Sequence, residues 1–476
     1  MSTGATPQAA SDDASGGPAT RIGKGAAARD VVPFREAVRT WFVISLQTFG
    51  GPAGQIAVMQ HTLVDTKRWI GQRRFLHALN YCMLLPGPEA QQLAIYIGWL
   101  LNGTRGGLVA GTLFVLPGML ALLGLSAIYV GYGDTTAVTA VFAGLAPAVL
   151  AIVAHAVWRV GRRALAHPAL VVLAAAAFIA LAVFAVPFPA VIAAAALAGW
   201  LMHRRAPHIL SAGHGDGDDG PAPLVPDDAL HTERPSVRRL VKILAAGLAL
   251  WAAPVAAVAL TTGTGSVFTA QGLFFSGTAV VTFGGAYAVL AYVAQRAVET
   301  YGWLAPGEMV RGLALAETTP GPLIMVVQFV AFLGAYRDPG GLNPWTAAVL
   351  GALLTTWVTF VPCFLFIFLG APYVERLRGN EALSAALTGI TAAVVGVIAN
   401  LAVYFAAHTL FAATQPRRWG PVHIQLPDPT TIRPVAIAIA ATAMLLLFRL
   451  RWSVLRTLGI CALLGIAAAV AGIPGS

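Results

Sequence analysis

Long apolar runs separated by short polar loops fill the chain from about residue 40 to its C-terminus. Each run is close to or above the roughly 20 residues that an α-helix needs to cross a lipid bilayer. The pattern therefore predicts a helical membrane protein that crosses the bilayer several times. The clearest runs cover residues 108–130, 137–157, 168–201, 241–260, 347–369 and 382–411.

Composition and charge support this prediction and exclude other classes of protein. Of the 476 residues, 57% are hydrophobic and only 11% are charged, against about 25% charged in soluble domains. The net charge is +10, but the arginines cluster in short loops, as the positive-inside rule predicts for a membrane protein. We therefore expect no nucleic-acid partner. The three cysteines lie within apolar segments without metal-ligand spacing, so no metal site is predicted.

Two polar tracts divide the chain into domains. Residues 1–33 lack the apolar core of a signal peptide, and we expect a disordered cytoplasmic tail there. Residues 204–237 form the second tract and are predicted to be a cytoplasmic linker. The segments that remain, residues 34–203 and 238–476, are the two predicted domains.

These two domains share an internal repeat. The sequence Thr48-Phe49-Gly50-Gly51 recurs as Thr282-Phe283-Gly284-Gly285, at an offset of 234 residues. Pro86-Gly87-Pro88 recurs at the same offset as Pro320-Gly321-Pro322. The offset then becomes 245, which aligns Pro117 with Pro362 and indicates an inserted loop in the second half. Internal duplication of this kind is common in secondary transporters.

The loop charges indicate that the second half is inverted relative to the first. A basic cluster around Lys67 and Arg74 in the first half has no basic counterpart in the second half. Conversely, the second-half loop that contains Arg376 and Arg378 aligns with a first-half loop that has no basic residue. A helical hairpin predicted at Pro187 gives an odd number of membrane crossings between the two repeats, and an odd number inverts the second repeat. The predicted fold is an all-α polytopic membrane protein, with two homologous domains as an inverted-topology repeat with Pro/Gly-broken helices.

The interrupted segments are the candidate functional site. Pro88 fits the first turn of a new helix, because proline lacks a backbone donor and restricts the residue before it. Unpaired backbone groups cost several kcal/mol each in lipid, so irregular backbone persists at this depth where it lines a cavity or contacts a ligand. Free N–H groups at a helix start can bind an anion. We therefore expect the four breaks to converge near the middle of the membrane and to bind an anion.

Acidic residues next to the breaks are candidates for proton coupling, because an acid inside a membrane is a functional-site hypothesis by default. They are Glu89 and Glu317. The alternative for Glu89 is a carboxylate that caps its own helix, and the alternative for the glycines and prolines is tight helix packing. The expected substrate-binding residues are Phe49, Gly50, Gly51, Pro52, Gln55, Pro86, Gly87, Pro88, Glu89, Gln91, Gln92, Phe283, Gly284, Gly285, Thr318, Thr319, Pro320, Gly321 and Pro322.

Several long motifs closely resemble the chromate ion transporter family in its long, two-domain form. In the first half they are FGGPAGQIAVM (residues 49–59), LPGPEAQQLAIYIGW (85–99) and GGLVAGTLFVLPG (106–118). In the second half they are TFGGAYAVLAYV (282–293) and AETTPGPLIMVVQFVAF (316–332). The resemblance covers nearly everything except the N-terminal tail.

This resemblance implies a multi-pass protein of the bacterial inner membrane that exports chromate and confers chromate resistance. It implies no enzymatic activity and no cofactor. The expected partners are chromate and the lipid bilayer, and the sequence allows a homodimer without specifying one.

Three alternatives stay open from the sequence. A carrier of sulfate or another oxyanion would use the same site. A channel is less compatible with two broken repeats, which suit alternating access. A membrane-embedded enzyme would need a nucleophile–base pair, a metal site or a cofactor fold, and the sequence contains no such signature.

Overall fold

The computed structural model describes residues 30–49, 51–205, 224, 236–283, 285–370, 381–420 and 422–473, and helices form most of it. Most of the predicted tail and linker, together with Gly50, Gly284, Arg376 and Arg378, lie outside the described residues. The α-helices are α1 (Phe34–Gln47), α2 (Gly51–Gln60), α3 (Gln72–Met83), α4 (Glu89–Tyr132), α5 (Thr136–Ala164), α6 (Pro168–Ala182), α7 (Phe188–Arg205), α8 (Val237–Thr262), α9 (Val267–Val281), α10 (Ala286–Gln295), α11 (Glu308–Thr318), α12 (Val326–Arg337), α13 (Pro344–Gly370), α14 (Glu381–Leu410), α15 (Pro434–Met444) and α16 (Val454–Val470). Short π-helical segments extend α2, α10 and α15.

Among the described residues, five helices are long and apolar enough to cross a membrane, namely α4, α5, α8, α13 and α14. Their positions agree with five of the apolar runs in the sequence, which confirms the prediction of a multi-pass helical membrane protein. Helix α8 exposes large apolar side chains such as Val241, Leu250 and Leu260 along its length. Lipid is the environment in which such a surface is stable.

The bundle has two ends, which differ in sequence. Helix α5 finishes with Arg162 and Arg163, and we call this the basic end. We call the opposite end, where α5 begins, the hairpin end, because residues of a β-hairpin lie there beside Thr139 of α5. After a bend at Asn102 and Gly103, about a third of the way along it, α4 crosses from the basic end to the hairpin end. Helix α13 runs alongside it in the opposite direction, because Gly107 of α4 lies against Phe368 near the end of α13.

In the first half, two pairs of short helices enter the bundle from the basic end and turn back inside it. The pair α1 and α2 is joined at its open end by Lys67, whose Nζ lies 2.9 Å from Glu36 Oε1. The second pair is α3 and the first part of α4, and Asn102 at the bend donates from Nδ2 to the Val32 carbonyl at 2.6 Å. At 14 and 12 residues, α1 and α3 are each about 20 Å long, too short to cross ~30 Å of hydrocarbon.

In the second half, the equivalent pairs enter from the hairpin end. They are α9 with α10 and α11 with α12. Arg337 at the end of α12 donates two hydrogen bonds to Glu308 at the start of α11, from Nη1 and Nη2 to the two carboxylate oxygens at 2.8 and 2.7 Å. The Tyr129 hydroxyl near the end of α4 donates to the same carboxylate at 3.1 Å. The two sets of short helices therefore enter the bundle from opposite ends.

The bend in α4 allows its first part to fold back on its second part. Gly103 at the bend has φ of +60° and ψ of −155°, which interrupts the helix. Across the bend, a Cβ built on Gly98 would lie 2.5 Å from the Gly106 carbonyl oxygen, so only glycine allows this approach. The corresponding helices of the second half, α12 and α13, are separate and joined by a loop. This loop is the insertion that the change of offset predicts.

Each half ends in a helical hairpin that packs on the other half. The hairpin predicted at Pro187 consists of α6 and α7, and it contacts α14. A second hairpin, formed by α15 and α16, contacts α5. The second hairpin begins 266 residues after the first. Cβ atoms built on Gly144 and Gly389 would lie 1.9 and 2.4 Å from carbonyl oxygens of the hairpin helices. This second hairpin was not predicted as part of the repeat, because a further insertion shifts the offset again.

That insertion is a two-stranded antiparallel sheet, which corrects the prediction of an all-α chain. Strand β1 (Thr414–Trp419) pairs with β2 (Val422–Pro427) between α14 and α15. The sequence VHIQL alternates apolar and polar residues, as a strand exposed on one face requires. Gly420 takes a φ of +59°, which a tight hairpin turn needs. Each strand has only six residues, so a search for apolar runs does not reveal it.

Candidate functional site

The four breaks meet inside the bundle through two equivalent backbone hydrogen bonds. The Gly87 amide nitrogen donates to the Thr282 carbonyl oxygen at 2.8 Å, and the Gly321 amide nitrogen donates to the Thr48 carbonyl oxygen at 2.9 Å. Each Pro-Gly-Pro turn therefore pairs with the residue that precedes the Phe-Gly-Gly element of the other half. Gly87 and Gly321 have φ of +120° and +101°, a conformation that favours glycine.

A long helix of the opposite half packs against each Pro-Gly-Pro turn. Gly118 of α4 lies against the second-half turn, where an added Cβ would be 2.3 Å from the Pro320 carbonyl oxygen. Cys363 of α13 lies against the first-half turn, with its Sγ 3.0 Å from the position of a Cβ on Gly87. Neither residue was predicted from the sequence as part of the site. Each directly follows the helix proline that the repeat aligns at an offset of 245 residues, and this is the signal that could have identified them.

Two predicted glutamines use their amide groups to hold the turns. Gln92 Nε2 donates to the Pro86 carbonyl at 2.7 Å, within its own turn. Gln55 Nε2 donates to the Gly321 carbonyl, and so connects α2 of the first half to the second-half turn. Both side chains are almost completely buried. Their amide donors are therefore committed to the turns in this conformation.

The start of α4 has donors that remain without partners. The helix begins at Glu89, immediately after Pro88, and the N–H groups of Glu89, Ala90 and Gln91 have no acceptor among the described residues. Gln91 is completely buried, and neither polar atom of its side chain is hydrogen-bonded within the described part of the chain. Leaving a buried polar group unpaired costs about 1–3 kcal/mol. The first turn of α4 is therefore a concentration of unsatisfied donors at the positive end of a helix dipole.

The second-half turn is built differently. The Thr318 and Thr319 hydroxyls donate to the carbonyls of Leu315 and Ala316 at 2.8 and 3.0 Å, so they satisfy the end of α11 rather than pointing their hydrogens at a ligand. After Pro322 the chain forms a short 3₁₀ helix, Leu323–Met325, before α12 begins. Leu323 stands where the repeat places Glu89 in the first half. The two turns are therefore equivalent in backbone position but not in side-chain chemistry.

A buried acid lies between the halves at the second-half turn. Glu317 is 2% exposed, and its Oε1 accepts a hydrogen bond from the Tyr287 hydroxyl at 2.5 Å. Its Oε2 has no partner among the described residues. The Tyr287 hydroxyl lies 4.0 Å from the position of a Cβ on Gly51, so this pair adjoins the first-half Phe-Gly-Gly element. Glu317 was predicted from the sequence, but Tyr287 was not.

The remaining predicted residues frame the same breaks. Phe49 and Phe283 follow the two accepting threonines and are partly buried, as is Pro52 at the start of α2. Gly285 precedes α10 with a φ of +102°. Gly50 and Gly284 lie outside the described residues, so their contacts are not described. Within the described part of the chain, no three His, Cys, Asp or Glu side chains are placed to hold a metal ion.

Comparison with known proteins places these features in a family. The sequence model of the chromate transporter family matches residues 35–200 and 269–472. A chromate transport protein of Pseudomonas aeruginosa is 33% identical over 359 residues, which cover 74% of this chain and 76% of that protein. A chromate transport protein of Cupriavidus metallidurans is 27% identical over 376 residues, with 79% and 83% covered. A probable chromate transport protein of Synechococcus elongatus is 27% identical over 373 residues, with 76% and 82% covered. No solved structure gives a significant match.

Proposed function

The chain belongs to the chromate transporter family, a family of transporters rather than enzymes, and we propose that it exports chromate from the cytoplasm by alternating access around the four breaks. The observation that carries this proposal is the pair of cross-half hydrogen bonds, from Gly87 to Thr282 and from Gly321 to Thr48. They join irregular backbone from both halves at one place inside the bundle. Irregular backbone at this depth is typical of transporter binding sites.

The two halves, residues 34–203 and 238–476, form an inverted repeat in this proposal. Two observations support it: the short helices of the first half enter from the basic end, and those of the second half enter from the hairpin end. By the positive-inside rule, the basic end faces the cytoplasm. The hairpin end then faces outward, and the breaks lie between two surfaces that can open in turn.

The start of α4 is the proposed anion-binding element. Chromate is a tetrahedral dianion, and the N–H groups of Glu89, Ala90 and Gln91 can donate to its oxygens. A helix end contributes at most ~2 kcal/mol, and each hydrogen bond to a charged ligand contributes about 1.5–3 kcal/mol. These contributions offset part of the desolvation of the anion. Weak net binding suits a transporter, because the ligand must also leave.

The membrane potential favours export. Moving two negative charges outward against an inside-negative potential releases roughly 4.6 kcal/mol per 100 mV. Coupling to protons is therefore not required by the energetics. Glu89 and Glu317 are the groups that would carry protons if coupling occurs. In a bacterium the protein would lie in the inner membrane, and export would lower cytoplasmic chromate and so confer resistance.

Transport of labelled chromate into inside-out vesicles tests the proposal. We expect saturable uptake that Gly87→Ala abolishes, because alanine disfavours a φ of +120° and its Cβ would be 2.9 Å from Gln92 Nε2. Gly302→Ala is the matched control, since Gly302 also has a positive φ of +64° but nothing within 4 Å of an added Cβ. Uptake that is absent in the wild type, or equal in the two variants, would contradict the proposal. Competition by sulfate in the same assay ranks the alternative substrate.

A further inference from the structure

A cavity of ≈ 720 Å³ opens at the hairpin end of the bundle. It lies between the starts of α5 and α11, the end of α14 and the β-hairpin. It extends along α5 as far as Pro147, eleven residues after Thr136, or about 16 Å into the bundle. None of the described residues that form the four breaks lines the cavity. The cavity is therefore separate from the candidate site and is connected to it through α11, which starts at the cavity and ends at the second-half turn.

The lining of the cavity has a positive charge balance. Arg311, Arg433 and His408 line it, and Glu299 is the single acidic residue among the described lining residues. Arg311 Nη1 donates to the Tyr129 hydroxyl at 3.1 Å. The Arg433 side chain is partly buried and has no hydrogen-bond partner among the described residues. A cleft lined by one sign of charge concentrates ions of the opposite sign.

Membrane topology does not account for these arginines. In the proposed orientation the hairpin end faces outward, where the positive-inside rule disfavours arginine in short loops. Arg433 nevertheless lies directly before α15, on this end. The positive charge therefore needs a reason other than orientation, and a ligand of opposite charge supplies one.

We propose that this cavity is an outer vestibule that binds the transported tetrahedral dianion, with Arg433 as the principal cation and Arg311 as the second. The inference rests on the proposed function and adds a second binding site on the transport route. Its volume leaves room for a hydrated anion, unlike the closely packed turns. Release then takes place in two steps, from the breaks to the vestibule and from the vestibule to the outside.

The vestibule can be tested without measuring transport. Thr139→Cys introduces a thiol at an exposed position that lines the cavity, while Cys82, Cys363 and Cys461 are buried. The measurement compares the rate at which a negatively charged sulfonate reagent and a positively charged trimethylammonium reagent modify the thiol. We expect the negative reagent to be favoured, and sulfate to slow its reaction, because bound sulfate neutralises the positive charge of the cavity. In 1 M salt the preference should disappear, because the Debye length falls to ~3 Å.

Removal of one charge identifies the residue responsible. In the Thr139→Cys background, Arg433→Gln should lower the ratio of the two rates roughly three- to tenfold and abolish protection by sulfate, whereas Arg433→Lys should preserve both. Arg456→Gln is the control, because it removes the same charge from an exposed residue that does not line the cavity. A ratio that Arg433→Gln leaves unchanged, or that Arg456→Gln lowers equally, would overturn the proposal.

Two further outcomes are informative. One distinguishes a lipid headgroup from a free anion, and the other distinguishes failure of the vestibule from failure of the proposed function. If protection of the thiol requires phosphatidylglycerol in the vesicles, and sulfate gives no protection in phosphatidylcholine vesicles, the cavity binds lipid headgroups. This result would overturn the vestibule. Charge-selective labelling with no chromate uptake in any vesicle would uphold anion binding here and contradict the proposed function instead.

Discussion

Replacement of Gly118 by alanine would test whether the close packing of α4 against the second-half turn matters for transport. The added Cβ would lie 2.3 Å from the Pro320 carbonyl oxygen and 3.4 Å from the Gly321 Cα, whereas ordinary contacts begin at 3.4 Å. Either α4 or the turn must therefore move by about 1 Å, because close-packed interiors contain few voids that could absorb the methyl group.

The expected size of the effect follows from the packing and the hydrogen bonds of the displaced turn. Overpacking of this kind typically costs about 1–3 kcal/mol. The peptide that contains the Pro320 carbonyl donates the Gly321 N–H to Thr48, and the next peptide accepts from Gln55 at the Gly321 carbonyl. Each of these hydrogen bonds makes a net contribution of about 0.5–1.5 kcal/mol. Since 1.36 kcal/mol corresponds to a factor of ten in rate, we expect chromate transport to fall at least tenfold. Alanine itself favours the helix by about 1 kcal/mol over glycine, so the loss would not reflect a weaker α4.

Gly124→Ala is the matched control, because Gly124 lies on the same helix with nothing within 4 Å of an added Cβ. The assay is the initial rate of labelled chromate uptake into inside-out vesicles, divided by the amount of protein in the membrane. Thermal unfolding in detergent, measured on the same two variants, separates loss of fold from loss of function. Equal transport by Gly118→Ala and Gly124→Ala at equal protein levels would refute the argument that displacement of α4 or the turn impairs transport.

Three further predictions concern other parts of the structure. Gln55→Leu should slow chromate uptake about tenfold or more without loss of protein, because it removes the donor to the Gly321 carbonyl; normal uptake would show that this bond is dispensable. Glu89→Gln should retain transport but change its dependence on pH, measured with the voltage clamped; an unchanged pH profile would exclude this carboxyl as the proton carrier. Gly144→Ala should lower the unfolding temperature in detergent, because its Cβ would be 1.9 Å from a carbonyl oxygen of α16, whereas Gly459→Ala has open space and should not.

The sequence predicted the parts of the fold that depend on hydropathy and on backbone chemistry. Long apolar runs identified the spanning helices, because length and composition alone decide whether a helix can cross a bilayer. Pro88 marked the start of a helix because proline restricts the backbone locally. Pro86-Gly87-Pro88 and its repeat marked interruptions for the same reason. These signals are local, so they can be recognised without knowledge of the tertiary structure.

The features that the sequence did not predict depend on contacts between distant segments. Gly118 looks like an ordinary helix glycine until α4 is placed against the second-half turn. Tyr287 became relevant only when its hydroxyl was found at the Glu317 carboxylate. The repeat did locate Gly118 and Cys363 at equivalent positions. A comparison of the contacts made in one half with the aligned positions of the other half would have identified both. Tyr287 has no such signal, because the repeat places an alanine, Ala53, at its position.

The difference between symmetric backbone and asymmetric side chains bears on how many anions the site can hold. The two cross-half hydrogen bonds are equivalent, and N–H groups without an acceptor among the described residues follow both turns, but those of Glu89, Ala90 and Gln91 begin an α-helix whereas those of Leu323 and Ile324 begin a short 3₁₀ segment. On the second-half side, a 3₁₀ segment follows the turn, the threonine hydroxyls satisfy α11, and the Glu317 carboxyl lies beside the turn. The unpaired N–H groups at the start of α4 attract a dianion, whereas an ionised carboxylate at Glu89 or Glu317 would repel it. We therefore infer that the breaks bind a single anion, at the α4 side.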